Sequence, residues 1–169
     1  RRVDEAADAL PMAGAAAPAD LVADKTADGL RRRTHKTIDG VTQDVARLHL
    51  NKAVARIREL TNALADLRGE TDAQRWALRE GWEAACLLIA PTTPHLAEEC
   101  WRRLGQAGLV AETDWPKADP ALLAADEIVL PVQVNGKRRG EVVLPAGAAQ
   151  DAVEAAALAL PAVENALGG

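Results

Sequence analysis

Apolar residues recur along this chain at two different periods, and the change from one to the other divides it. Between about Asp24 and Leu48, the residues Leu30, Thr34, Ile38, Val41, Val45 and Leu48 recur at spacings of three and four. That spacing predicts a helix with a single apolar stripe. Asn51 to Leu67 repeats the pattern with Val54, Ile57, Leu60, Leu64 and Leu67, the seam of an antiparallel bundle partner, and Gly69 is its expected C-terminal cap. A third helix is predicted over about Asp72 to Ala90, with Trp76, Trp82, Ala85 and Ile89 inward and Pro91 as its stop. Thr93 and Pro94 suit the N-cap and first position of a fourth helix. Its inner face is Leu96, Cys100, Trp101 and Leu104, and it ends at Gly105 and Gly108.

From Glu127 the period becomes two. Ile128, Leu130, Val132 and Val134 alternate with Val129, Pro131 and Gln133, a half-buried strand that Pro131 places at a sheet edge. Asn135-Gly136 fits a type I′ turn, and Glu141 to Leu144 returns as the second strand. The run AAQDAVEAAALAL (148–160) predicts a short helix. The chain therefore reads as mainly α: an antiparallel helical bundle over residues 1–120, then a small α/β module of ubiquitin-like kind over 121–169. Residues 1–10 read as the end of a helix that begins upstream, and two strands with one helix are too little to hold a domain. The expectation is a piece of a longer protein, with the second module truncated.

Composition narrows the chemistry. The 169 residues are 49% hydrophobic and 27% charged, the balance of a soluble globular chain. No apolar run approaches the roughly 18 residues that a membrane span needs. Cys86 and Cys100 lie 14 apart, and His35, His49 and His95 are scattered, without the close ligand pairs of a zinc site, so no metal is expected. Both thiols are expected to be buried and reduced. Four Trp with neither Tyr nor Phe exclude a sheet that stacks RNA bases on Phe and Tyr. Serine is absent, and the adjacent Glu98 and Glu99 point about 100° apart on a helix. No catalytic set is visible.

Charge is unevenly spread. The net charge is −5, yet residues 25–60 hold nine Lys/Arg against four Asp/Glu, whereas 61–136 hold six against twelve. Two basic clusters are candidate phosphate contacts. In VQVNGKRRG (132–140), Asn135 and Gly136 set Lys137, Arg138 and Arg139 at a hairpin tip; the plain alternative is an edge kept basic against strand pairing. On the first helix, Arg31, Arg32, Arg33 and Lys36 cluster, and Arg32, His35 and Lys36 are expected to share a face opposite the seam. The alternative there is a solvated face paired with Asp28 and Asp39, and His35 taken alone reads as a surface or interhelix hydrogen-bonder rather than a base reader. Arg47, Lys52, Arg56 and Arg58 extend this surface unless Asp44 and Glu59 neutralise it. His95 is expected to have its nitrogens satisfied by neighbouring helices, Trp115 to clamp the linker onto the bundle, and Gly136 and Gly140 to serve a positive φ and a bulge.

Five segments, LRRRTHKTIDGVTQDV (30–45), HLNKAVARIRELTNAL (49–64), LLIAPTTPHLAEECWRRLG (87–105), DWP (114–116) and VQVNGKRRG, together resemble the C-terminal part of bacterial leucyl-tRNA synthetases. The resemblance covers roughly residues 25–165. The third segment is shared with the valyl and isoleucyl relatives, whereas VQVNGKRRG beside DWP is more particular to the leucyl enzymes. The resemblance implies an anticodon-binding-type bundle lying along the tRNA and a small module reaching the tRNA corner. It implies tRNA-Leu as partner, with Arg31, Arg32, His35, Lys36, Asn135, Lys137, Arg138 and Arg139 as its contacts. It also implies a monomeric, cytoplasmic parent enzyme whose upstream catalytic and editing domains use ATP and Mg²⁺. Nothing here resembles the HIGH or KMSKS signatures, so this part is expected to bind no cofactor and to be inactive alone. The alternatives are the helical domain of another class I synthetase and a protein-interaction module without RNA binding.

Overall fold

Asp24 accepts hydrogen bonds from the backbone N–H groups of Thr26 and Ala27, both at 3.0 Å, and so starts helix α1 (Lys25–Ala46). The carboxylate satisfies donors that a first turn leaves orphaned. The computed structural model describes residues 7–124, 127–145 and 148–163. In it α1 is followed by α2 (Leu50–Asp66), α3 (Asp72–Ile89) and α4 (Pro94–Arg103), then by a 3₁₀ turn (Val110–Glu112) and a short helix α5 (Pro120–Leu123). The chain divides after Leu123 into two compact units. The helix end expected over residues 1–10 falls mostly on residues 1–6, outside those described. The closing residues 164–169 and the side chain of Ile128 also lie outside them.

Two apolar clusters fill the bundle. One joins Leu30, Leu60, Leu64, Leu78, Trp82 and Trp101; the other joins Ile38, Val41, Ala53, Ile57, Ala84 and Leu88. Numbers rise from the first to the second along α1 and α3 and fall along α2, so α2 runs antiparallel to both. The caps agree. Thr71 caps α3 by accepting from Gln74 N at 3.1 Å, and its hydroxyl donates to the Asp24 carboxylate at 2.7 Å, so α1 and α3 begin side by side. Gly81 lies where three helices close in: a Cβ there would stand 2.4 Å from Leu64 Cδ2 and 3.2 Å from Thr34 Oγ1.

The predicted stripes hold in mid-helix and fail at the ends. Leu48 is 82% exposed, because α1 stops at Ala46 and Leu48 takes a φ of 58° as the chain turns into α2. Val54 and Leu96 are 42% and 59% exposed, and Ala53 and Ala97 take the inner positions. A three-or-four alternation permits either neighbour, and close helix packing selects the smaller one. Trp82 and Trp101 are core residues as expected, whereas Trp76 sits at the margin with its Nε1–H donating to Ala15 O at 3.0 Å. Thr93 precedes α4 but makes no side-chain cap bond. Trp115 packs on the second cluster and donates to Thr42 Oγ1 at 2.8 Å, which holds the linker to the bundle as expected.

In the second unit, β1 (Glu127–Val134) and β2 (Lys137–Pro145) pair antiparallel, followed by α6 (Gln150–Leu158). Asn135 and Gly136 have φ of 53° and 75°, the two positive values of a type I′ turn. β2 begins at Lys137 rather than Glu141, so the basic residues are strand residues beside the turn. Val132 pairs with Gly140 and Gln133 with Arg138, which leaves Arg139 as the extra residue of a bulge. Gly140 serves close packing: a Cβ there would lie 3.1 Å from Leu160 Cδ1. Val142 and Val163 are buried.

Candidate nucleic-acid interface

The cations of α1 divide by what α3 and the linker offer them. Arg31 donates to both oxygens of Glu80, from Nε at 2.9 Å and from Nη2 at 3.3 Å, and its guanidinium lies 5.4 Å from the Trp76 ring centroid. Arg32 pairs with Asp28 at 2.7 Å, four residues earlier. Arg33 and Lys36 are exposed and have no ion-pair partner among the described residues. They lie three apart, on neighbouring turns of one face.

His35 departs from its expected place. It is 8% exposed, with Nε2 3.3 Å from Glu80 Oε1, and Nδ1 accepts the Asp119 backbone N–H at 2.9 Å. Accepting at Nδ1 leaves the proton of the neutral ring on Nε2, which donates to Glu80. At about 100° per residue, His35 falls at the edge of the buried stripe rather than opposite it. There the linker covers it, and the shared ridge of Arg32, His35 and Lys36 does not form. Burial pushes the Glu80 carboxyl up, but hydrogen bonds from His35 and Arg31 together outweigh it and hold that carboxyl below its usual value.

Further along, Arg56 is taken by Asp44 at 2.7 Å, while Arg47, Lys52 and Arg58 are exposed. At the hairpin, Arg138 is ion-paired with Glu141. Lys137 and Arg139 are exposed without an ion-pair partner among the described residues. The rigid I′ turn and the bulge thus present Lys137 and Arg139, unpaired among the described residues, on a short, twisted ribbon. Asn135 occupies the first central turn position, where an αL conformation is required.

Several other polar side chains are structural. Arg79 is buried and donates to Glu83 at 2.6 Å, to Pro11 O at 2.6 Å and to Leu104 O. Glu98 accepts from Val110 N at 3.0 Å and Ala111 N at 3.2 Å, capping the 3₁₀ turn. Glu99 turns the other way, to Arg102 and Arg103, whose hydrogen bonds lower its carboxyl to about 2. His95 is exposed at the start of α4, with no hydrogen-bond partner among the described residues, because that turn faces outward and Ala97 faces in. Sequence reasoning missed Glu80, Arg79 and Asp119, each of which has a partner 25 to 84 residues away. Asp24 had a readable signal, an Asp directly before a helical stripe. No group of three or more His, Cys, Asp or Glu among the described residues could hold a metal ion, and none of their helices is long and apolar enough to cross a membrane.

Residues 28–154, well over half of the chain, match the family described as the anticodon-binding domain of tRNA ligase, and the chain belongs to that family. It is 50% identical over 160 residues to the leucine–tRNA ligase of Paramagnetospirillum magneticum, which covers 95% of this chain and 18% of that protein. It is 49% identical over 175 residues to the leucine–tRNA ligase of Rhizobium etli, covering 100% of this chain and 20% of that protein. A solved structure, the ternary complex of Agrobacterium radiobacter K84 agnB2 LeuRS, tRNA and LeuAMS, matches 98% of this chain and 20% of that chain, at a TM-score of 0.80 and 31% identity. The chain thus spans about a fifth of the length of the curated relatives it matches.

Proposed function

We propose that this chain is the tRNA-binding region of a leucine–tRNA ligase, and that it positions tRNA-Leu for chemistry carried out by other parts of that enzyme. The likeness of nearly the whole chain to the LeuRS of a tRNA complex carries this reading. Lys137 and Arg139 on the hairpin, and Arg33 and Lys36 on α1, supply cations for tRNA phosphates, the sequence-independent part of RNA affinity. Binding energy spent this way holds an acceptor end in place and does no chemistry itself. The region works without ATP, Mg²⁺ or leucine of its own. Its parent is a monomeric cytoplasmic enzyme in which those ligands belong to the catalytic and editing parts.

The test is a titration of the chain with tRNA-Leu, and with the same tRNA shorn of its long variable arm, at several salt concentrations. Affinity that favours the intact tRNA-Leu and falls steeply with salt is expected. Equal affinity for both RNAs would remove the leucyl assignment, and binding insensitive to salt would favour a protein-interaction module.

A further inference from the structure

A groove of about 360 Å³ opens beside α2, α3 and α4, and its lining includes Val54, Ile57, Arg58, Trp82, Cys86 and Cys100. Neither cysteine is in a disulfide; Cys86 is buried and Cys100 half-buried. They come from different helices, yet both line this one groove and pack in the same apolar cluster, close enough for Cys100 to act on the Cys86 thiol. The two sulfurs are therefore neighbours, on the wall of an opening that reaches solvent. Burial first, and the adjacent Cys100 second, push the Cys86 thiol up to about 12, so Cys86 is almost wholly protonated at neutral pH. That arrangement separates two roles: Cys100 is the thiol a reagent meets, and Cys86 is the thiol held behind it. Arg58 is exposed and lines the same groove, which favours an anionic reagent over a neutral one.

We propose that Cys86 and Cys100 form an oxidisable dithiol, a modification site that a low-molecular-weight anionic disulfide closes to an intramolecular bridge between α3 and α4. In the first step the Cys100 thiolate attacks one sulfur of the reagent, forming a mixed disulfide and expelling one reagent thiolate. In the second, Cys86 gives up its proton and attacks the Cys100 sulfur, forming the Cys86–Cys100 bond and expelling the second reagent thiolate. Overall the two protein thiols are oxidised, the reagent disulfide is reduced to two thiols, and no other oxidant enters. The second step is the slow one at neutral pH, since only the thiolate attacks. The bridge closes a short loop containing the turn between α3 and α4, a cross-link that restricts the unfolded chain, and a dithiol reductant reverses it.

The test treats the folded 169-residue chain with oxidised glutathione, with circular dichroism confirming the fold, and follows thiol content, mass and mobility on a non-reducing gel. No Lys or Arg lies between Glu80 and Cys100, so trypsin leaves both cysteines in one peptide, Glu80–Arg102. The expected product has lost both thiols, is monomeric, and yields that peptide lighter by two hydrogens. Cys86→Ala is expected to stop at the glutathione adduct on Cys100, and Cys100→Ala to leave Cys86 unreacted. A stable adduct on Cys100 in the unsubstituted chain, a bridge between two chains, or two thiols that stay unreacted while the chain is folded would each overturn the proposal.

Discussion

The basic clusters at Arg31–Lys36 and Lys137–Arg139 look alike in sequence and differ in the structure. On α1, three faces of one helix are in use, so the run is dealt out in several directions. Arg31 and His35 turn to Glu80, Arg32 turns back to Asp28, and Arg33 and Lys36 face solvent without a carboxylate among the described residues. On the hairpin, a two-residue turn and a bulge keep the cations beside one short ribbon, and a single carboxylate, Glu141, takes Arg138. A run of cations is therefore a poor measure of available charge. That charge depends on how many acidic neighbours the fold brings within reach, and a packed helix brings more than an exposed ribbon.

The largest effect should come from removing the carboxylate that holds the α1 cluster. Glu80→Ala leaves Arg31 and His35 partly buried without their acceptor, and unfolding in urea should show a loss of about 2 kcal/mol. Glu141→Ala on the exposed hairpin should change stability by less than about 0.5 kcal/mol. Similar losses from both substitutions would erase the contrast. Next, Lys137→Ala/Arg139→Ala should weaken tRNA-Leu binding about tenfold, roughly 1.4 kcal/mol, while the melting temperature stays put. A fall in stability of similar size would instead make those side chains structural.

Acid should separate the clusters again. Glu80 sits below its usual value when folded. Its share of the stability is complete above the unfolded carboxylate range, near pH 4.5, and is lost as pH falls through the folded value. Chemical denaturation from pH 7 down to pH 3 should show this acid loss in the native chain and a smaller one in Glu80→Gln. An equal loss in both would assign the acid sensitivity to other carboxylates, Glu99 and Asp24 among them. The smallest effect belongs to Arg138→Ala. Because Glu141 already neutralises Arg138, tRNA affinity measured by fluorescence titration should change by less than about twofold.

The bundle was legible because its mid-helix stripes follow from helix geometry alone. Ile57, Leu60 and Leu64 face the core where the period puts them. The turn was legible too, since Asn135-Gly136 is a local signal with a local cause. What escaped was set by partners far along the chain. His35 reads as either a surface residue or an interhelix hydrogen-bonder, and only the fold, with Glu80 and Asp119 covering it, decides for the second. Ala53 and Ala97 lose to Val54 and Leu96 in any reading that rewards size, yet close helix packing needs the small side chain. The start of β2 at Lys137 also went unread, because charged residues score poorly as strand formers and the ladder to β1 overrides that preference.

The most direct measurement is the slope of log affinity for tRNA-Leu against log salt for three chains: unsubstituted, Lys137→Ala/Arg139→Ala, and Arg32→Ala. Removing one cation from a phosphate should lower the slope by about one. The expected result is a slope reduced by about two in the hairpin variant and unchanged in Arg32→Ala, whose charge Asp28 already engages. Equal slopes in the unsubstituted and hairpin chains, or a reduced slope in Arg32→Ala, would contradict the division of the two clusters into engaged and available charge.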